Sequence, residues 1–195
     1  NKRMKELISE TTQLIEGIQS KSAELTSKTE KLTKEINEGM LGPKGSQMRQ
    51  EALREEKDNY QWELRKKVDE LLEKIEASEQ KVLENIEANA EPVTADNVAE
   101  LQLLKEIDTT AEELQRYAKK YHNNPLAIKT LEQIAKDKEI LVTFPETEQD
   151  KIINKYKKLK TVVKTYNDFR VNAVGVQKAR QDMTLGLHID TLNDM

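Results

Sequence analysis

Cysteine is absent from the chain, aromatic residues make up only 4% of it, and its 195 residues include 6 glycines and 4 prolines. Each shortage excludes something. Without cysteine there is no disulfide framework and no thiolate nucleophile, and the chain is compatible with the cytoplasm. Phe, Tyr and Trp supply much of the buried area of a large globular core, and this chain has too few to fill one. So few glycines and prolines leave few breaks, whereas strand-and-turn architectures need many. No apolar run approaches the roughly 20 residues that a membrane span requires, so no membrane role is expected. A net charge of -4 gives no global pull towards nucleic acid or an anionic surface. The chain opens Asn-Lys-Arg-Met and stops at Met195, which leaves room for further residues at either end.

Charged residues make up 35% and hydrophobic ones 36%, a mixture that suits helices burying a narrow stripe and exposing the rest. The apolar spacing bears this out. Met4, Ile8, Thr11, Ile15, Ile18, Ser22, Leu25, Thr29, Leu32 and Ile36 follow steps of three and four, a coiled-coil-like seam on a helix over about 3–38. Leu64, Val68, Leu71, Ile75, Ser78 and Val82 form a second seam on a helix over about 47–89, with Ser46 as its N-cap. Two long helices joined by eight residues predict an antiparallel hairpin. Beyond Pro92 the pattern predicts three further helices: Val98 to Tyr121, then one opened by Asn124-Pro125, then one from Thr147 that continues past Val174 to end near Gly186. The expected organisation is all-α and elongated: a hairpin over 1–91 with its turn at 39–46, then a three-helix unit with an irregular tail over 92–195.

The stretch Gly-Met-Leu-Gly-Pro-Lys-Gly-Ser at 39–46 invites comparison with a phosphate-binding loop. In that loop, however, lysine and a hydroxyl residue follow the last glycine, and a strand precedes the first. Here Lys44 comes before Gly45 and a long amphipathic helix precedes the glycines. The stretch reads as a helix-hairpin turn. Met40 and Leu41, at its tip, either cap the hairpin seam or offer an apolar spot to a partner.

Two histidines, His122 and His188, and no cysteine make a poor donor set for zinc, so neither a metal nor a cofactor is expected. The carboxylates read as solvated helix faces, with Glu70 spaced to pair with Lys74. No catalytic constellation stands out, and the chain reads as a non-enzyme. One region is basic: Lys151, Lys155, Lys157, Lys158, Lys160 and Lys164 meet no acid in the same stretch before Asp168. Two readings follow, a solvated face paired with the acidic second helix, or contact with a polyanion such as nucleic acid. Trp62 falls off the seam among Glu55, Asp58, Lys66 and Asp69, with Tyr60 close by in sequence. A lone indole on a charged helix face is expected to pack against something, either the C-terminal unit or another chain.

Narrow seams on long helices favour binding through surface over pocket chemistry. The expected function is therefore structural or scaffolding, through helical protein–protein interaction and self-association as a homo-oligomer or part of a larger assembly. The composition is similar to that of many assembly proteins of bacteria and their phages. The competing expectations are a small inhibitor or adaptor that binds through the acidic hairpin, and a nucleic-acid-associated protein that uses 151–170.

Overall fold

A computed structural model describes residues 2–195. Among them there are seven helices and no strand. In chain order they are α1 (Lys2–Asn37), α2 (Pro43–Ala88), α3 (Ala95–Glu106), α4 (Ala111–Lys120), α5 (Pro125–Asp137), α6 (Glu148–Thr165) and α7 (Gly175–Asn193).

The expected hairpin is present. Lys74 pairs with Glu10, Glu56 with both Lys21 and Lys28, and Arg49 with Glu35, so residue numbers rise along α1 as they fall along α2. The turn is tighter than the eight residues expected. Gly39 adopts φ +70, with Gly39 N–H donating to Ile36 O and Met40 N–H to Glu35 O. That is a Schellman closure, and the left-handed conformation suits glycine. Helix α2 then restarts at Pro43 rather than Ser46, because proline's fixed φ and missing N–H fit the first helical position.

Two compact units emerge, divided differently from the expectation at Pro92. One consists of Asn1–Ser78 with Lys155–Met195, the other of Glu79–Asn154. In the first, the seams of α1 and α2 do not close on each other alone. Helix α7 packs on α1. Ser78 of α2 meets Tyr156 of α6, and Gln61 of α2 meets the loop after Phe169, so α6 runs antiparallel to α2. Tyr166 meets His188 and Arg170 meets Gln181, so α7 runs back along α6. The result is an up-down-up-down arrangement of four helices. Its core holds Leu7, Ile15, Ile18, Leu64, Ile75, Tyr156, Leu159, Tyr166 and Leu185, all 2% exposed or less. Thr11 sits in that core because its hydroxyl donates to Leu7 O at 2.7 Å.

The second unit gathers α3, α4 and α5 around Leu101, Leu104, Leu114, Tyr121, Leu131 and Ile134. The extended segment 140–144 lays Ile140, Val142 and Phe144 against that core and turns Leu141 and Thr143 outwards. The single helix expected from Val98 to Tyr121 is broken. Ile107 is extended, and the Thr110 hydroxyl accepts from Glu113 N–H to start α4. The long final helix is also broken: α6 stops at Thr165, and α7 begins at Gly175 with φ +58. Gly186, expected to end that helix, lies inside α7.

Candidate interaction surfaces

Trp62 lies off the buried face of α2, as its position relative to Leu64 and Val68 requires. Its surroundings differ from the first expectation, because no element of its own unit covers it and it is 68% exposed. The docking belongs to its neighbour. The Gln61 side chain donates to Phe169 O at 3.0 Å and accepts from Val171 N–H at 2.8 Å, which clamps the α6–α7 loop against α2. A residue earlier on a helix points about 100° away, which is enough to separate a clamp from an exposed indole. Nothing in the apolar pattern marked Gln61.

Tyr60 is not beside Trp62 on the surface. It is half-buried in the α1–α2 groove, with the Lys21 ammonium 5.9 Å from its ring centre. Burial, with Glu63 nearby, pushes its phenol up to about 12. Met40 is 68% exposed at the hairpin turn, while Leu41 is half-buried.

The basic helix divides its lysines by position. Tyr156, Leu159, Val162 and Val163 are buried, so the tyrosine belongs to the core as the seam predicts. Lys151 pairs with Glu148 one turn earlier, and Lys160 is half-buried. Lys155, Lys157, Lys158 and Lys164 are exposed and make no ion pair among the described residues. Pairing with the acidic hairpin is therefore not what holds these four. Three of the hairpin's acids, Glu10, Glu35 and Glu56, instead meet bases on the facing helix of the same hairpin. Hydrogen bonds from Lys28 and then Lys21, against some desolvation, hold the Glu56 carboxyl below the usual carboxylate range. Lys74 bonds across to Glu10 rather than to Glu70. The surplus of negative charge sits elsewhere: Glu79–Asn154 carries nine Lys and Arg against sixteen Asp and Glu.

The histidines stand apart from each other. His122 Nδ1 lies 3.0 Å from Lys119 O at the end of α4. His188 Nδ1 meets the Tyr166 hydroxyl at 2.8 Å inside the α6–α7 contact, where desolvation lowers its pKa. Among the described residues no three His, Asp or Glu side chains gather as metal donors.

A feature the sequence reading missed lies on α7. Leu185 and Leu192 are buried, yet Val176, Met183 and Leu187 on the opposite face are 69%, 67% and 58% exposed. Spacings of seven and four align these three along one side of the helix, so α7 is apolar on both faces. The signal was legible in principle. A helix expected to run on from Thr147 and end near Gly186 cuts the stripe short of Leu187, whereas α7 continues to Asn193.

No family model, curated protein or solved structure matches the chain. None of its described helices is long and apolar enough to cross a membrane.

Proposed function

We propose that this chain is a non-enzymatic structural or scaffolding component that works by helical protein–protein interaction, self-association included. The observation that carries the reading is Trp62. A large aromatic side chain stands 68% exposed on a regular helix whose buried face is already filled by Leu64, Val68 and Leu71. Exposed indoles of this kind commonly anchor interfaces, because one side chain buries much area at low conformational cost. The charged, cysteine-free composition fits an assembly component of a bacterium or phage, in the cytoplasm or within a particle.

The test is light scattering of the full chain over a concentration series, with Trp62 emission recorded in parallel. A mass that rises with concentration while emission shifts to the blue supports the reading, and Trp62→Ala should weaken the association by about 2 kcal/mol. A monomer at every concentration with water-exposed emission throughout would overturn the self-association.

A second reading, contact with a polyanion such as nucleic acid, draws its support from Lys155, Lys157, Lys158 and Lys164, exposed and without ion pairs among the described residues. Its mark is affinity for a nucleic-acid duplex that falls steeply as salt rises. Hydrophobic association holds or strengthens under the same change.

A further inference from the structure

We infer that the outer face of α7 is a self-association surface, on which a second copy of the chain lays its own α7 antiparallel about a two-fold axis. The inference rests on the self-association reading above and adds a second surface to it, on a different helix from Trp62. Two observations point to a second copy rather than to an unrelated partner.

The first is the apolar stripe. Val176, Ala179, Met183 and Leu187 lie within about 80° of one another around the helix, directly opposite Leu185 and Leu192. A helix needs one apolar face to join its own bundle, and the Leu185 face packs inwards already. The other has no partner within the unit.

The second is the order of charges along that stripe. Arg180 stands towards the N-terminal end and Asp190 towards the C-terminal end, both exposed and without ion pairs among the described residues. Lys178 also lies in the N-terminal half, paired locally with Asp182, and Asp194 caps the C-terminus. Within a single helix this order is unfavourable, because the macrodipole prefers acids at the start and bases at the end. Helix α7 has neither an acid in its first turn nor a base in its last. An antiparallel copy reverses the relation. With the axis near Leu185, Arg180 meets Asp190 of the other copy and Met183 meets Leu187, while Val176 falls opposite Asp194 at the margin. Each contact occurs twice by symmetry, as a two-fold interface requires. One helix face buries less than the 1,200–2,000 Å² or so of a standard stable interface, so the association is weak and dissociates on dilution.

The experiment is sedimentation or light scattering of the full chain over a concentration series, with circular dichroism to confirm that each variant folds. Wild type should move from the 22.5 kDa monomer towards twice that mass. Arg180→Asp and Asp190→Arg should each raise the dissociation constant about tenfold or more, and the double swap should return it towards wild type. Met183→Glu should abolish the dimer, and since Met183 is exposed its helicity should be unchanged. Association that ignores all of these changes but is lost in Trp62→Ala would overturn this surface while leaving the scaffolding reading in place. A double swap no tighter than either single change would overturn the antiparallel register. A chain monomeric at every concentration would overturn both the surface and the self-association.

Discussion

Ser78 and Tyr156 share a hydrogen bond of 2.5 Å between their hydroxyls, both buried, across the contact between α2 and α6. It is a side-chain bond in a core that is otherwise mostly apolar, and it joins positions 78 residues apart. Removing one partner leaves the other unsatisfied. Tyr156→Phe should therefore destabilise by about 1–2 kcal/mol, whereas adding Ser78→Ala should recover part of the loss. Chemical denaturation of both single variants and the double variant measures the coupling. A coupling near zero would mean that the bond contributes nothing beyond packing.

The Gln61 clamp makes a separate prediction. Gln61→Ala removes one acceptor and one donor and leaves Val171 N–H and Phe169 O to find other partners, at a cost of about 1–2 kcal/mol. Gln61→Glu retains the acceptor and loses the donor, so it should fall between. Hydrogen exchange at the Val171 amide should accelerate in Gln61→Ala before global unfolding does. Unchanged exchange would show that the buried Phe169 ring and the Gln181 bonds to Arg170 hold the loop without Gln61.

His188 gives the fold a pH dependence of known sign. Desolvation lowers its pKa in the folded state, so below the ordinary value of 6.5 the unfolded chain binds more protons. Its contribution to stability is present above about pH 6.5 and is lost as pH falls from there towards the lowered folded value. Thermal melts between pH 8 and 5 should show this loss, and His188→Gln should remove that component. A His188→Gln profile parallel to wild type would assign the dependence to other groups.

Glu139 is the one non-glycine residue with positive φ among those described, at +54. It closes α5 as Gly39 closes α1: Ile140 N–H donates to Ala135 O and Glu139 N–H to Lys136 O. A left-handed conformation costs an L-residue about 1–2 kcal/mol, which glycine avoids, less the entropy that glycine loses on folding. Glu139→Gly should thus stabilise by about 0.5–1 kcal/mol, read as a higher denaturant midpoint at unchanged slope. A lower midpoint would mean that the side chain makes a contact worth more than the strain.

The seams were legible because long helices repeat their signal. Ile15, Ile18, Leu25, Leu64, Val68 and Leu71 are buried where the three-and-four spacing puts them, and Thr147 and Asp150 cap α6 reciprocally as their spacing suggested. The breaks were not legible in the same way. Tyr166, Phe169 and Ala173 keep an apolar pattern through the α6–α7 loop, so periodicity runs on where the helix does not. What fixes that loop is Gln61 and Gln181, polar side chains bonding to backbone, to which a hydrophobic pattern is blind. The same blindness set the boundary at Pro92. The α1 and α2 seams resemble a self-sufficient hairpin, but they bury themselves against α6 and α7. For the same reason the interaction residues were half legible: Trp62 could be marked as lying off the seam, but whether anything covered it depended on where that loop went.

The pairing of α1 with α7 also has a consequence in time. Helix α1 leaves the ribosome well before α7, which completes it, with 137 residues between Asn37 and Gly175. At about 5–20 residues per second, the Leu7–Ile15–Ile18 stripe waits on the order of ten seconds or more for its cover. Glu79–Asn154 closes its own core from contacts within itself and need not wait. A nascent chain stalled before Gly175 should therefore hold one finished unit and one sticky one. That exposed stripe is where a chaperone should bind, and where two unfinished chains on neighbouring ribosomes would meet first.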